Sequence, residues 1–176
     1  MHVRETRPGR RGRIEWYLLT NVKVASLQEA WQVVSAYRAR WRVEDFHRAW
    51  KTGVCDVEAS QLRSAGAFRR WATILAAVAS RAERLKTMAR AEPERPALHE
   101  FTRDELDAAI LLRRDKTLAL GAEMTLMQAV ELVALVGGYT GRKNSGGPPG
   151  ATVIARGLHD VLVAARALAA SRERSG

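Results

Sequence analysis

The chain has 176 residues, a formal net charge of +10 and 47% hydrophobic residues. Its length fits one domain of ordinary size, and its hydrophobic fraction excludes an intrinsically disordered chain. The longest apolar runs reach about a dozen residues, short of the roughly 18 to 20 needed to cross a bilayer. No secretory signal is visible, and the single cysteine, Cys55, excludes an internal disulfide or a Cys-based zinc site. We expect a cytoplasmic protein with no membrane span and a polyanionic partner, for which nucleic acid is the first candidate.

The first residues predict a short β-structure after a basic stretch. Residues 1–13 contain five arginines together with glycine and proline, which is typical of an exposed turn. Residues 14–24 are rich in aromatic and β-branched side chains, which predicts a strand buried on both faces. Only residues 3–5 offer a partner strand, as a weak hairpin. Because a strand needs partners, we expect the chain to be part of something larger.

Five helices are predicted after the strand, and three of them begin at capping boxes. These boxes are Ser26 with Glu29, Thr102 with Glu105, and Thr125 with Gln128. The predicted helices cover residues 27–52, 65–90, 103–114, 126–136 and 151–171, and glycines follow the first and the fourth. The predicted fold class is therefore mainly α, with one or two N-terminal strands, then a long helix and a C-terminal helical bundle.

The large apolar side chains predict where the core lies. Four tryptophans are expected to be core residues: Trp31, Trp41, Trp50 and Trp71. All five tryptophans fall within the first 71 residues, which places the well-packed core at the N-terminal end. In the last helix, apolar residues recur every three or four positions, the spacing of one packed face. That face either closes onto the 65–90 helix or buries against a second copy of the chain, and the sequence leaves both alternatives open.

Four side chains of the long first helix form the candidate chemistry. Tyr37, Arg40, Glu44 and Lys51 share a stripe roughly 60° wide, at about 100° per residue. The carboxylate suits a divalent metal, the two cations suit phosphates, and the phenol can donate a hydrogen bond to a phosphate oxygen. The same set also fits a solvent-exposed face of ion pairs.

The order of these residues resembles that of a known family. The run is Tyr37-Arg-Ala-Arg40-Trp-Arg-Val-Glu44-Asp-Phe-His-Arg-Ala-Trp-Lys51-Thr-Gly53. It is similar to the helix YxxRWRIEEFHKAWKTG of the YREK group of bacterial DDE transposases, of the insertion-sequence-four and transposon-five type. The run Trp16-Tyr-Leu-Leu-Thr20 resembles the family's last strand before this helix. The likeness covers most of residues 3–168 and weakens after about residue 85.

The resemblance implies an RNase H-like core in which two aspartates and one glutamate hold two Mg²⁺ ions for in-line attack on DNA phosphates. Glu44 matches the glutamate, as a catalytic residue and a metal ligand. In the family both aspartates lie well upstream, and no residue before Met1 carries them here. Asp45 points about 100° away from Glu44, and Asp56 lies beyond the helix, so both are poor substitutes.

The resemblance also implies roles in DNA binding. Tyr37, Arg40 and Lys51 match residues that grip the transposon-end backbone and a flipped base. Arg48 stands where the family usually has Lys and is expected to keep a phosphate contact. Trp16 matches an aromatic residue that stacks on an extruded base, although a tryptophan in a strand is also an ordinary core residue. Four arginines are expected to form either a DNA-contacting arm or merely an exposed turn that aids solubility: Arg7, Arg10, Arg11 and Arg13.

The expected domains are a remnant of the RNase H-like catalytic domain and its β-insertion at residues 1–63, and a helical dimerisation domain at residues 64–176. The expected function is that of a truncated cut-and-paste DNA transposase fragment, which does not cut DNA alone. Its expected partners are transposon-end DNA and either a second copy or a full-length transposase, at the bacterial nucleoid when DNA-bound. Two alternatives stay open: a non-catalytic regulator that pairs with and inhibits a full-length transposase, and a decayed remnant with non-specific DNA binding. We interpret His47 as a packing residue and Cys55 as an inert thiol.

Overall fold

The computed structural model describes residues 1–6, 12–51, 53, 55–114, 117–141 and 147–175. Within these ranges the chain forms two short strands and six α-helices, so the predicted mainly α fold is confirmed. Its internal contacts divide it into two compact units, Met1–Val43 and Glu44–Gly176. No helix in the described part is both long enough and apolar enough to cross a membrane. The domain division predicted between residues 63 and 64 stays a prediction.

The first unit begins with an antiparallel ribbon of β1 (His2–Arg4) and β2 (Glu15–Tyr17), with Val3 opposite Trp16. The predicted pairing with residues 3–5 is therefore confirmed to within one residue. The prediction of a long strand buried on both faces is wrong, because β2 has three residues and Tyr17 is 78% exposed. Successive side chains of a strand point to opposite sides, so a two-stranded ribbon leaves alternate residues in solvent.

Two helices replace the single helix predicted over residues 27–52. The first, α1, spans Leu27–Ala39, and the second, α2, spans Trp41–Lys51. At Arg40 the backbone N–H donates to the carbonyl oxygen of Tyr37 at 3.1 Å, which is an i to i−3 hydrogen bond. Such a tightened turn interrupts the α-helical ladder. The arithmetic of 100° per residue therefore applies within each helix and not from one to the other.

The three predicted capping boxes are all formed. In each box the Ser or Thr side chain accepts a hydrogen bond from a backbone N–H three residues later, and the Glu or Gln side chain accepts one from the backbone N–H of the capping residue. These reciprocal bonds satisfy backbone donors that the first turn of a helix leaves unpaired. They explain why the sequence located these three helix starts correctly.

The second unit is built from four helices that follow α2. They are α3 (Ala65–Ala91), α4 (Arg103–Arg113), α5 (Leu126–Val136) and α6 (Ala151–Ser175). Short 3-10 turns lie at Val57–Ala59 and Ala97–His99. The bounds agree with those predicted to within one residue, except that α6 continues four residues beyond the predicted end.

The main core lies inside this bundle. Ile154, Leu158 and Val161 of α6 are at most 2% exposed, and α6 packs against α3, α4 and α5. The other helices contribute fully buried aliphatic side chains: Leu85, Leu106, Leu126, Val130 and Val133. The apolar face of α6 thus closes within the chain, which is the first of the two alternatives that the sequence left open. A second copy of the chain would therefore have to contact a surface other than this apolar face.

The prediction of a well-packed core at the N-terminal end is wrong. Trp31 and Trp41 are 56% and 59% exposed. Trp50 and Trp71 are half-buried, at the edge of a smaller cluster made of Ala49, Cys55, Val57, Ala72 and Ala79. Small alanines let helices approach closely, and branched aliphatic side chains then fill the space at high density. The number of tryptophans therefore did not indicate where the densest packing lies.

Helices α5 and α6 cross in direct backbone contact. A Cβ atom at Gly157 would lie 1.8 Å from the carbonyl oxygen of Val133, and one at Gly137 would lie 1.9 Å from that of Val153. A residue with no Cβ is the only kind that fits such an approach without movement of the backbone. The two glycines therefore set the distance between these helices.

Candidate functional site

The first unit brings together three of the predicted DNA-binding residues. The ring of Trp16, on β2, lies edge-on to that of Tyr37, on α1, with centroids 5.1 Å apart and planes inclined by 64°. The guanidinium carbon of Arg40 lies 5.8 Å from the centre of the Tyr37 ring and 5.2 Å from that of Trp41. Cation–π contacts of this kind contribute about 0.5–1 kcal/mol at exposed sites. We call Trp16, Tyr37 and Arg40 the aromatic cluster.

An apolar hollow adjoins the aromatic cluster. Tyr37 stands at its rim with 37% of its surface exposed. The other lining residues come from the segment after β2 and from α1, and they include Leu18, Val22, Gln32, Val33 and Ala36. The α1 residues of this hollow were not predicted from the sequence. The only sequence signal for them was spacing along the helix. Val33 precedes Tyr37 by four residues and therefore lies on the same helix face as Tyr37, and Ala36 precedes it by one.

The remaining predicted site residues lie on α2, in the second unit. Glu44, Arg48 and Lys51 are all exposed, and their spacing of four and then three residues places them on one face of α2. The Nη1 atom of Arg48 lies 3.8 Å from Oδ1 of Asp45, and Nζ of Lys51 lies 3.8 Å from Oε1 of Glu58. Exposed ion pairs contribute only about 0–1 kcal/mol. Both cations can therefore exchange a carboxylate for a phosphate at low cost.

The predicted single stripe of four residues stays a prediction. Tyr37 and Arg40 belong to the first unit, whereas Glu44 and Lys51 belong to the second. The helical ladder is interrupted at Arg40, so continuity of one helix no longer supports the stripe. Of the predicted arginine arm, Arg13 is exposed. The other three arginines lie outside the described residues: Arg7, Arg10 and Arg11.

The acidic residues near Glu44 do not fit the two Mg²⁺ ions that the resemblance implies. Across the described ranges, no group of three or more His, Cys, Asp or Glu side chains is placed to hold a metal ion. Asp45, the neighbour of Glu44, accepts a hydrogen bond from Nζ of Lys86 at 3.2 Å. Glu44 would be one oxygen ligand, whereas a two-metal site needs several carboxylates. We therefore derive no metal-dependent step for this chain, and the Mg²⁺ site stays a prediction.

His47 and Cys55 have the surroundings of packing residues. The His47 ring lies beside those of Phe46 and Trp50, with centroids 5.5 and 6.3 Å away, and its Nδ1 atom is buried with no hydrogen-bond partner in the described part of the chain. The thiol of Cys55 is buried and donates to the carbonyl oxygen of Leu75 at 3.4 Å. Burial raises the pKa of this thiol above its ordinary value of 9.0, which keeps the unreactive protonated form.

Two ion pairs, each with two hydrogen bonds, connect α3 to the residues just before α4 and to the first turn of α4. Both terminal nitrogens of Arg81 donate to the carboxylate of Glu105 at 2.9 Å. Arg84 donates to the two carboxylate oxygens of Glu100 at 2.9 and 2.7 Å, and these hydrogen bonds are the main cause that lowers the pKa of Glu100 below its ordinary 4.5. These ion pairs were not predicted from the sequence. The only signal was the spacing of the two arginines by three residues on one face of α3.

A third ion-pair cluster anchors the C-terminal part of α6 to α4. Arg172 donates to Asp104 and, at 2.9 Å, to Asp107, which is only 3% exposed. Asp107 also accepts a hydrogen bond from the backbone N–H of Gly121 at 2.7 Å. The carboxylate therefore joins α6, α4 and the loop after α4.

These contacts define the second unit as a helical module with a closed core. Comparison with models of known families then identifies it. Residues 77–176, more than half of the chain, match the model described as the transposase Tn5 dimerisation domain. The chain belongs to this family, and the matched part is the C-terminal region of a Tn5-type transposase. The match begins within α3 and includes α4, α5 and α6.

Proposed function

We propose that this chain is a DNA-transposition protein of the insertion-sequence-four type and YREK group, which joins two subunits and contacts the ends of a transposon. The observation that carries the proposal is the dimerisation-domain match over residues 77–176. The ordered run from Tyr37 to Gly53, quoted above for its resemblance, supports the assignment to this group. The ribbon followed by α1 supports the interpretation of residues 1–63 as a remnant of an RNase H-like domain.

In this proposal the first unit holds DNA bases and α2 holds phosphates. The aromatic cluster presents a phenol, an indole and a guanidinium beside an apolar hollow, a combination that accepts an unstacked base. Arg48 and Lys51, whose side chains are 74% and 50% exposed, supply accessible cations for phosphates. Glu44 would contribute the third carboxylate of a complete catalytic site. The chain is proposed to bind DNA and a partner subunit, and not to cleave DNA by itself.

Subunit association is tested by sedimentation equilibrium of the full 176-residue chain. We expect a monomer–dimer equilibrium, with the dimer populated at micromolar concentration. A protein that stays monomeric at every concentration up to its solubility limit would contradict the proposal. Incubation with Mg²⁺ and transposon-end DNA tests the claim about cleavage. If the unmodified chain cuts this DNA and the Glu44→Gln variant does not, the claim that the chain is inactive alone is refuted.

DNA contacts by α2 are tested through the salt dependence of binding. Each phosphate contact contributes about 0.9 to the slope of log K against log salt concentration. We expect Arg48→Ala with Lys51→Ala to lower that slope by about 1.8 in a fluorescence anisotropy titration with duplex DNA. The matched control, Arg69→Ala with Arg113→Ala, removes two exposed charges from other helices and should change the slope much less. Equal losses for both double variants would favour the alternative of non-specific binding by net charge.

The regulator alternative is separated by co-purification with a full-length transposase of the same group. Preferential capture of the full-length enzyme, with loss of its activity, would favour an inhibitory partner. Capture that leaves the activity intact would favour a subunit that contributes to transposition. Absence of association, together with a purely monomeric chain, would leave the decayed remnant as the better account.

A further inference from the structure

Lys86 is a cation that α3 holds largely out of solvent. Its side chain is 14% exposed, and its Nζ atom contacts two carboxylates. One belongs to Glu83, three residues earlier on α3, and the other belongs to Asp45 of α2, whose Oδ2 atom lies 3.2 Å away. A side chain in this position cannot reach a DNA phosphate without leaving both acids. Its charge therefore acts on the two carboxylates and not directly on a ligand.

Asp45 is shared between Lys86 and one of the proposed DNA contacts. Its Oδ2 atom accepts a hydrogen bond from Lys86, whereas its Oδ1 atom lies 3.8 Å from Nη1 of Arg48, which is too far for a hydrogen bond. The side chain of Arg48 is 74% exposed, so its guanidinium is accessible from solvent. The carboxylate is thus bonded to the buried cation and only loosely attracts the exposed one.

We propose that Lys86 is a positioning residue for DNA binding, which acts through Asp45 to leave Arg48 available for a phosphate. Lys86 neutralises the Asp45 carboxylate and holds it by the oxygen that Arg48 does not face. Without that cation the carboxylate would pair fully with Arg48 and compete with every phosphate that approaches α2. The inference rests on the phosphate contact by α2 proposed above. It assigns to that contact a residue from the region that matches the dimerisation domain.

The other charges around this cluster do not replace Lys86. The hollow between α2, α3 and the start of α6 has one further cation among its described lining residues, Arg90. Its Nη2 atom donates to the carbonyl oxygen of Pro149 at 3.2 Å, and no ion pair joins it to Asp45 in the described part of the chain. Arg90 is therefore already engaged with the backbone before α6, and Lys86 alone neutralises Asp45 from the α3 side.

A double-mutant cycle on the full chain tests whether Lys86 acts through Arg48. Lys86→Met keeps a long unbranched side chain and removes the charge. We expect it to weaken duplex-DNA binding roughly three- to fivefold, near the upper limit for one exposed ion pair, and to lower the salt slope toward that of Arg48→Ala. In the Arg48→Ala background, Lys86→Met should have no further effect, because the residue on which it acts is gone. Lys86→Arg keeps the cation and should bind DNA as the unmodified chain does.

Asp45→Asn provides a second, independent arm. It removes the competing carboxylate, so the addition of Lys86→Met to this variant should not weaken DNA binding. This double variant removes both partners of one ion pair together, so it leaves no unpaired charge at that contact and decides the question even if Lys86→Met alone folds poorly. The matched control is Glu83→Gln, which removes the acid that contacts Lys86 but not Arg48. It should change the DNA affinity far less than Lys86→Met does.

Fluorescence anisotropy titrations at several salt concentrations give the affinities and slopes, and thermal unfolding shows which variants are folded. If Lys86 only ties α2 to α3, Lys86→Met would weaken binding equally with Asp45 and with Asn at that position, which would overturn the inference. Effects of Lys86→Met and Arg48→Ala that simply add would also overturn it, while the phosphate contact by α2 would stand. An Arg48→Ala variant with unchanged DNA affinity and slope would instead refute that proposed contact itself.

Discussion

The backbone contact between α5 and α6 predicts a strong effect for the smallest substitution in a helix. In Gly157→Ala the new methyl group would start 1.8 Å from the carbonyl oxygen of Val133, against at least 3.4 Å for an ordinary contact. The neighbouring atoms are backbone, so no side chain can turn away. The two helices must therefore separate by about 1.6 Å at the crossing, which is the difference between these two distances.

The magnitude follows from the packing around the crossing. A gap of 0.5–1 Å already forfeits about a quarter to a half of a van der Waals contact, and burial of each aliphatic side chain contributes about 1.5–3 kcal/mol. For Val133, Ile154 and Leu158, which line this crossing, a loss of about half gives roughly 3 kcal/mol. The higher helix propensity of alanine offsets about 1 kcal/mol of this loss. We expect a net loss near 2 kcal/mol and a fall in Tm of about 4–8 °C.

The assay is urea denaturation followed by circular dichroism. All variants are compared at one fixed protein concentration, because the apparent stability of a dimer depends on concentration. The matched control is Gly66→Ala in the first turn of α3, where the nearest atoms to the new Cβ are side-chain atoms at 3.7 and 3.8 Å. That variant should be neutral or more stable by up to about 1 kcal/mol. If Gly157→Ala were as stable as Gly66→Ala, α5 and α6 would not be in backbone contact in solution.

Three further outcomes follow from the described contacts. Asp107→Ala should lower the free energy of unfolding by about 1–3 kcal/mol, because it removes a buried acceptor of two hydrogen bonds. Asp104→Ala, at a more exposed carboxylate, should lower it by under about 1 kcal/mol in the same urea titration. Equal effects of the two substitutions would contradict the deeper burial of Asp107. Because the folded-state pKa of Glu100 is lowered, its contribution is complete above the unfolded-state pKa near 4.5 and is lost as pH falls through the lower folded value. Stability should hold from pH 7 to about 5 and decline below that, and a decline equally steep in Glu100→Gln would exclude this group as a cause. Cys55 should react with a thiol reagent at least about tenfold more slowly in the native chain than in urea, and comparable rates would show that the thiol is accessible.

Local rules predicted the helices of this chain well. Capping boxes depend on residues three apart in sequence, so Ser26, Thr102 and Thr125 each located a helix start. Apolar spacing likewise identified the packed face of α6. The break at Arg40 was not predicted, because every residue on either side of it is compatible with a continuous helix.

Contacts between distant residues could not be predicted from one sequence. Trp16 and Tyr37 meet only because the ribbon and α1 fold together, and no spacing rule relates them. The pairing of Arg172 with Asp107 depends on how α6 lies on α4. Tryptophan was a misleading guide to the core, since Trp31 can be more than half exposed while alanine-rich helices enclose the dense interior. The candidate DNA-binding residues were chosen by resemblance, and the structure adds the hollow beside Tyr37.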